Sequence, residues 1–299
     1  MTGALTGVPT ETLGTARDGG PSASSASRGD GVRDAVRRGR AGARRQQAYR
    51  LLAGLGGLAV LLVLWQVWAV VLHDDALLPT VPATVSDFIT YLHEQYPTGS
   101  QTLVGHAAVS LRRIGFGFGL GAIGGLVLGS LMSGVRAVRY GVDPVLTVLR
   151  PVPPLAFIPL FIVWLGVDES AKIGLITLGT LPMVATATLG ALDAVPRSLE
   201  QASLSLGASP LRTLLLVRLR AALPALITGM RLALGGAWSS IIAAELVGAT
   251  EGIGFVTLQA GNYLQTTLVL SGIVVIAFLG LATDGLLRLA LRFADPSVR

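Results

Sequence analysis

Few side chains in this 299-residue chain are of types that break or form covalent bonds. The absence of cysteine excludes disulfides, iron–sulfur clusters and thiolate metal sites. Three histidines, His73, His93 and His106, lie in or beside one loop, where surface histidines explain them better than a metal site does. The one lysine, Lys172, precedes Ile-Gly, so no Gly-Lys-Ser/Thr loop can bind phosphate. The sequence therefore predicts a protein that is not an enzyme and that has no metal or cofactor of its own.

The composition indicates an integral membrane protein. Hydrophobic residues make up 52% of the chain, charged residues only 13%, and the mean hydropathy is +0.66. A soluble domain of this size needs far more charge to cover its surface. The isoelectric point near 10.4 would suit a nucleic-acid partner, but the basic residues lie mainly in the first 50 residues and in short loops. We therefore expect the lipid bilayer, and no nucleic acid, as a partner.

Six apolar segments approach the ~20 residues that a helix needs to cross a bilayer. They are about Leu51–Leu72, Leu103–Met132, Val145–Leu165, Ile173–Leu192, Ala221–Val247 and Leu268–Leu291. Residues 1–48 are rich in Gly, Ala, Ser, Thr and Arg, which predicts a disordered cytoplasmic tail. Residues 49–104 hold the first span and an external loop, and residues 105–299 form the remaining core.

The distribution of basic residues orients the six spans. Arginines fill the tail, whereas the first loop holds none and carries acidic residues such as Asp74 and Glu94. Basic and acidic loops then alternate as far as the basic C-terminus. This pattern predicts a multi-pass protein of the cell membrane with both termini in the cytoplasm, and residues 194–224 as its longest cytoplasmic loop.

Four glycines in the second span share one helix face, because a spacing of four residues returns to the same side of a helix. They are Gly117, Gly121, Gly125 and Gly129. Their missing side chains allow another backbone to approach closely. Tight packing inside the helical bundle is favoured over a subunit interface.

The third span contains the proline-rich stretch Arg150-Pro-Val-Pro-Pro-Leu-Ala-Phe-Ile-Pro-Leu. Pro153 and Pro154 remove backbone donors near its start, and Pro159 removes another inside it. In lipid such a helix needs protection by neighbouring helices or a wet cavity beside it. The sequence is compatible with two interpretations, a kinked structural helix and a helix that lines a transport path.

Charged side chains inside the spans are few, and such charges are candidates for function. Arg112 and Arg113 lie in the outer part of the second span, and Glu245 lies towards the outer end of the fifth. For these three residues the sequence allows two interpretations: their side chains snorkel to the outer surface, or they lie on the translocation path. Arg231, in the inner half of the fifth span, is better explained by snorkelling or a structural ion pair.

The loop between the fourth and fifth spans contains two helical stretches. The first is expected from about Ser198 to Leu206, and Gly207-Ala208-Ser209-Pro210 forms a turn after it. Ser209 is a good N-cap, and Pro210 suits the first turn of a helix that enters the fifth span. The segment is either a connector or a short helix presented to a cytoplasmic partner that supplies energy.

This loop resembles the EAA loop of binding-protein-dependent ABC importer permeases. Its glycine turn matches Gly207-Ala208-Ser209, and its later Leu-Pro matches Ala221-Ala222-Leu223-Pro224. Three further stretches are similar to the nitrate/sulfonate/taurine/bicarbonate branch of that family: the proline-rich stretch, Ser110-Leu-Arg-Arg-Ile-Gly-Phe and Ala237-Trp-Ser-Ser-Ile-Ile-Ala-Ala-Glu-Leu-Val-Gly-Ala. The resemblance covers about Gly105–Leu291 and implies an all-α type I ABC importer permease fold with six transmembrane helices.

In that family the loop forms a coupling helix that docks on the ATPase subunit. The resemblance gives this role to Glu200, Gln201, Ala202, Leu206, Gly207, Ala208, Ser209 and Pro210. Two departures affect the contact: Gln201 occupies the family's Glu position, with Glu200 displaced by one residue, and Arg220 stands where many members have proline. The glycine turn and the helix that set the docking geometry are both retained.

The resemblance implies a permease subunit that imports a small anion such as a sulfonate, nitrate or taurine. Its implied partners are P-loop ATPase subunits, an extracytoplasmic solute-binding protein and a second permease copy or close relative. The candidates for the translocation path are Arg112, Arg113, Pro153, Pro154, Pro159 and Glu245. The alternative is an ion-coupled secondary transporter, which normally shows an inverted repeat or midplane ion ligands. A non-transporting scaffold or an intramembrane enzyme is a third hypothesis.

Overall fold

The computed structural model describes residue 49 and residues 52–97, 100–246 and 248–294, with side chains described as far as residue 289. The tail expected over residues 1–48 lies outside them. The described residues are almost entirely helical, and their β pairing is limited to one isolated bridge between Gln95 and Thr102. Contacts divide the chain into two units, one up to Leu64 and one from Trp65 onward.

The helices follow one another along the chain with short connections. α1 spans Leu52–Leu72, α2 Val81–His93, α3 Leu103–Gly134, α4 Arg136–Leu149, α5 Ile158–Leu165, α6 Glu169–Asp193, α7 Arg197–Ser205, α8 Pro210–Leu246, α9 Ile253–Asn262 and α10 Thr266–Ala294. A 3-10 turn, Pro154–Phe157, precedes α5, and the Thr213–Arg218 segment of α8 is π-helical.

Five helices, α1, α3, α6, α8 and α10, are long and apolar enough to cross a membrane. α4 and the segment Pro154–Leu165, which ends with α5, meet at a bend of 97° and pass the same test together, as one broken span or as a re-entrant loop. The predicted all-α fold is therefore confirmed for the described part of the chain, with five membrane crossings, or six if the bent pair is one span. The placement of both termini in the cytoplasm stays a prediction.

The third span departs from the single helix expected over residues 145–165. α4 already contains the first of these residues and ends at Leu149. Pro153 is extended, with φ −60° and ψ 136°, and Pro154 begins the 3-10 turn. Because proline has no backbone N–H and disfavours a helical residue before it, the helix cannot run through this pair. Pro159 lies in the first turn of α5, where an N–H would lack a partner in any case.

Two short helices lie in segments expected to be loops. α2 is attached to the end of α1, because the amide of Val81 donates to Gln66 Oε1 at 2.9 Å and Trp65 Nε1 donates to Pro79 O at 3.0 Å. α9 follows Gly252, whose φ of +118° suits glycine. Both helices are too short to cross a bilayer, so a search for long apolar runs does not find them.

The glycine face of α3 packs against α6. A Cβ on Gly121 would lie 2.6 Å from Thr180 Cβ, and a Cβ on Gly125 would lie 2.7 Å from Val184 Cβ. Real Cβ atoms essentially never come so close to another heavy atom. Glycine is therefore required for the two helices to touch, and the favoured interpretation, tight packing inside the bundle, is confirmed.

An ion pair joins α8 to α10. Arg231 Nε lies 2.6 Å from Asp284 Oδ1, and Arg288 Nη2 lies 2.9 Å from Oδ2 of the same aspartate. Beside them, Trp238 Nε1 donates to Thr283 Oγ1 at 3.1 Å. Arg231 thus forms a structural ion pair, which is one of the two explanations expected from the sequence.

Candidate functional site

A turn between α7 and α8 lies at one end of the bundle, which we call the α7 end. Leu206 caps α7, and Gly207 follows with φ +83°, a left-handed conformation that glycine adopts without strain. The amide of Gly207 donates to Leu204 O at 2.9 Å, and that of Ala208 donates to Ser203 O at 3.2 Å. This pair of bonds is the Schellman motif that ends many helices. The predicted short helix and its glycine turn are confirmed.

α8 begins directly after this turn. Ser209 is extended, with φ −69° and ψ 156°, and its Oγ accepts a long bond of 3.4 Å from the amide of Arg212. Pro210 is the first residue of the helix. The predicted N-cap and helix start are confirmed, and both follow from local sequence.

Buried polar contacts fix the turn to the bundle. Ser203 Oγ and Thr213 Oγ1 lie 3.0 Å apart and are buried, so α7 is joined to the beginning of α8. Arg218 Nη2 donates to Ser133 Oγ at 2.7 Å and to Leu192 O at 3.3 Å, which connects α8 to α3 and α6. These bonds connect the turn to several helices of the bundle.

The surface of the turn is apolar at its tip. Leu206 is 89% exposed and Leu211 is 65% exposed. Gln201 is exposed as well. Glu200 is directed towards its own chain, with Oε2 4.0 Å from Arg218 Nε. The turn thus presents leucine and amide side chains, and the side chain of its acidic residue is 41% exposed beside Arg218.

A cleft of about 260 Å³ lies beside the break in the third span. Its walls come from the segment after α4, from α6 and from α8, and include Arg150, Pro154, Gly179 and Ser239. A Cβ on Gly179 would collide with Ser240 Oγ and lie 3.1 Å from Pro154 Cγ, so glycine allows the broken span to approach α6. One water needs about 10–15 Å³ of such volume. The cleft is therefore large enough for a small solute.

The other end of α3 and α8, which we call the α9 end, contains a buried ion pair. Arg113 Nη1 lies 2.8 Å from Glu245 Oε1, and the two side chains are 2% and 1% exposed. Arg113 also donates through Nε to Glu169 Oε2 at 2.7 Å and through Nη1 to Glu251 O at 2.7 Å. A buried charge requires such partners, because removing it from water is costly. The pair joins α3, α6 and α8 to the segment before α9.

The carboxylate of Glu245 is also held by hydrogen bonds from neutral groups. Ser110 Oγ donates to Oε1 at 2.8 Å, and the amide of Gly254 in the first turn of α9 donates to Oε2 at 2.9 Å. Ser110 Oγ in turn accepts the amide of Ile253 at 2.9 Å. The start of a helix favours a negative charge because its free amides point outward. Glu245 therefore fixes α9 to the bundle.

His106 is fully buried, although the sequence favours surface positions for the histidines. Its Nδ1 accepts the amide of Gly252 at 3.1 Å, which places the proton on Nε2, and Nε2 donates to Tyr96 O at 2.9 Å. The expectation is wrong for His106 because the short helix α9 and the residues around Tyr96 cover the first turns of α3. His73 and His93 are exposed, as expected.

The comparison with protein families identifies the chain. Residues 121–294 match the family described as the inner membrane component of binding-protein-dependent transport systems. The chain belongs to this family. It is therefore an ABC transporter permease, a multi-pass protein of the inner cell membrane, and the predicted family is confirmed.

Individual relatives and a solved structure agree with this assignment. The taurine transport system permease protein TauC of Escherichia coli (strain K12) is 38% identical over 242 residues, which are 81% of this chain and 88% of TauC. SsuC of Bacillus subtilis (strain 168), named as a permease for aliphatic sulfonates, is 36% identical over 245 residues, 82% of this chain and 87% of SsuC. A chain of the inward-facing MetNI methionine ABC transporter aligns with a TM-score of 0.52 and 26% identity over 63% of this chain and 95% of its own length. The predicted importer permease fold is confirmed.

The predicted coupling residues of the permease lie together around the α7–α8 turn. Those exposed are Gln201, Ala202, Leu206, Gly207, Ser209 and Pro210. Glu200 and Ala208 are half-buried. Their contact with an ATPase stays a prediction.

The predicted path residues of the permease lie in two separate places. Pro153, Pro154 and Pro159 lie at the break in the third span, and Arg112, Arg113 and Glu245 lie at the α9 end. Pro154 lines the cleft, and the side chain of Arg112 is 60% exposed, with Nη2 3.9 Å from Glu169 Oε2. The part that these six residues play in translocation stays a prediction.

Sequence reasoning missed two features of the permease. The partners of the buried pair, chiefly Glu169 and Ser110, were assigned no role, although a charge deep in an apolar span requires a partner. In sequence, Arg150 is simply the first residue of the proline-rich stretch, whereas in the structure it lines the cleft. Arg150 stands at the edge of an apolar run with no acidic residue nearby in sequence. This pattern could have indicated that its charge faces a cavity.

Proposed function

We propose that this permease is the transmembrane subunit of an ATP-driven importer for a small organic anion, with a sulfonate such as taurine as solute. A second permease copy or close relative completes the pore, P-loop ATPase subunits bind at the α7 end, and a solute-binding protein delivers the solute at the α9 end. Family membership supports these partners, and the names of TauC and SsuC support the solute class.

The observation that carries this proposal is the α7–α8 turn. A docking element has to offer a surface to its partner and to transmit displacement into the membrane part. The exposed Leu206 and Leu211 offer the surface. The contact between Ser203 and Thr213 and the bonds of Arg218 provide the transmission. Docking relies chiefly on the exposed leucines and on the amide of Gln201, while Glu200 lies 4.0 Å from Arg218 of its own chain.

The broken third span supplies the part of the path that moves. ATP-driven closure of the ATPase subunits displaces α7, and α8 carries the displacement along its length to Ser239, which lines the cleft. The segment with Pro153 and Pro154 lacks continuous helical hydrogen bonds, so it can shift relative to α6 with little loss of bonding. Pro159 lies one short turn further along, at the beginning of α5.

Reconstituted transport tests the energy source. The permease is co-purified with its candidate ATPase and inserted into liposomes, and uptake of labelled taurine is followed with the candidate binding protein outside. We expect uptake that depends on ATP hydrolysis and on the binding protein. Uptake driven by an ion gradient without ATPase would overturn the proposal in favour of an ion-coupled secondary transporter.

A matched pair of variants tests the docking surface. Leu206→Asp places a charge at the apolar tip and is expected to lower ATPase co-purification by about tenfold, because a charge in an apolar contact loses its water. Ala194→Asp adds the same charge at an exposed position of the α7 end outside the turn. It should behave as wild type. Equal recovery of the ATPase with both variants would show that α7 only connects α6 to α8.

A further inference from the structure

Among the residues that the structure describes, Arg150 in the cleft has no acidic partner. It lines the cleft, and it forms no ion pair among the described residues, whereas the buried Arg113 is matched by Glu245 and Glu169. Its guanidinium donates through Nη2 to Thr186 Oγ1. A guanidinium has five N–H donors, so most of its donors remain available to a molecule in the cleft.

Arg150 is exposed in the single chain, and its partner lies part-way along the membrane-crossing helix α6. Its partner Thr186 precedes Asp193, the last residue of α6, by a rise of about 10 Å at 1.5 Å per residue. The cleft extends further along α6, past Pro182 to Gly179 near the middle of that helix. A charged side chain at such depth is costly unless it is paired or faces a water-filled cavity, and it is then a candidate for contact with the solute.

The remaining walls of the cleft suit a short carbon chain. Phe157, Leu178 and Met183 line it with apolar surface. Ser239 adds a hydroxyl whose bond to Gly235 O is long, at 3.4 Å, so this hydroxyl is free to bond to a ligand. An inorganic anion such as nitrate would satisfy the guanidinium but leave these apolar walls without contact.

We propose that Arg150 binds the sulfonate group of the solute in this cleft during its passage, while the apolar walls contact its carbon chain. The identity of the solute rests on the proposed function, but the anion site itself does not. The planar guanidinium can donate two parallel bonds to two oxygens of one sulfonate, and these charge-assisted bonds are among the strongest available. Affinity must stay weak, since a transport site has to release its solute.

Direct binding tests the site without transport. Methanesulfonate is added to the purified permease–ATPase complex, and its binding is followed by saturation-transfer NMR. Arg150→Gln should weaken binding by at least about tenfold, the effect of losing a charge-assisted pair of bonds. Arg150→Lys should be intermediate, since an ammonium keeps the charge but not the planar fork. The neutral analogue dimethyl sulfone should respond to neither change.

Arg136→Gln is the matched control. Arg136 is an exposed arginine outside the cleft with no ion pair among the described residues, so this variant removes the same charge elsewhere. It should bind methanesulfonate as wild type does. Equal binding by wild type and Arg150→Gln would overturn the assignment, and so would equal weakening by Arg150→Gln and Arg136→Gln.

Transport separates this site from the proposed function. In the reconstituted importer, Arg150→Gln should reduce taurine uptake per ATP hydrolysed by about tenfold, with ATPase co-purification and the unfolding temperature unchanged. Where Arg150→Gln does not assemble, Arg150→Lys carries the same comparison.

If wild type imports no taurine but binds methanesulfonate through Arg150, the proposed function fails and the site stands. If wild type imports taurine and Arg150→Gln imports it equally well, the site fails and the function stands.

Discussion

Arg113 and Glu245 are 132 positions apart in sequence, yet Arg113 Nη1 lies 2.8 Å from Glu245 Oε1 in the interior of the α9 end. Glu169 provides a second carboxylate to the same guanidinium, at 2.7 Å from its Nε. The first amides of α9 hold the pair in place through Glu245 and Ser110. The permease thus has one end fixed by buried charges and another, the α7 end, that presents an exposed turn.

Removal of Arg113 should destabilise the permease strongly. Arg113→Gln leaves Glu245 buried without its cation, and breaking such a pair costs about 3–5 kcal/mol. We expect a clear drop in the unfolding temperature in detergent, followed by intrinsic fluorescence. The adjacent Arg112→Gln is the control, because its side chain is 60% exposed and exposed pairs contribute only about 0–1 kcal/mol. Similar losses for both variants would contradict the buried network.

Two glycines of α3 should respond in opposite directions to alanine. A Cβ on Gly125 would lie 2.7 Å from Val184 Cβ and 2.8 Å from Leu181 O, so Gly125→Ala forces α3 away from α6 at a cost of about 1–3 kcal/mol. Gly119 has no atom within 4 Å of its added Cβ. Gly119→Ala should be neutral or stabilise by about 0.5–1 kcal/mol through helix propensity. Thermal unfolding of both variants measures this difference, and a stable Gly125→Ala would disprove the close packing.

The α7–α8 turn should depend on the left-handed conformation of Gly207. Its φ is +83° and no atom lies within 4 Å of an added Cβ, so backbone strain alone opposes a side chain there. Gly207→Val should cost about 1–3 kcal/mol locally and lower ATP-driven uptake. Gly207→Asn should retain most uptake, because asparagine tolerates this conformation. Equal uptake by both variants would show that the shape of the turn is unimportant for coupling.

Single cysteines can test the predicted orientation, since the chain has no cysteine of its own. Asp74 follows α1 and Ser205 ends α7, and both are exposed. In cells without the ATPase subunits, a membrane-impermeant maleimide should label Asp74→Cys from outside. It should label Ser205→Cys only after the membrane is permeabilised. The reverse pattern would invert the orientation and place the α7–α8 turn outside the cell.

Some parts of the structure were predictable because their causes are local. Gly207 and Ser209 determine the end of α7 and the beginning of α8 through the conformations and bonds of neighbouring residues. The spacing of Gly121 and Gly125 predicted a close helix contact, although the helix that fills it, α6, could not be named. The short helices α2 and α9 were missed because neither has the length that a hydropathy search detects.

The membrane helices and the resemblance to the permease family can be read from the sequence, because hydropathy and motifs are properties of contiguous residues. Which charges are satisfied depends on the packing of the helices. Arg113 and Arg150 look alike in sequence, as arginines within or beside apolar spans. Folding brings two carboxylates to Arg113, whereas Arg150 faces a cleft with a threonine as its partner. The cost of burying a charge depends on neighbours that only the packed helices bring together.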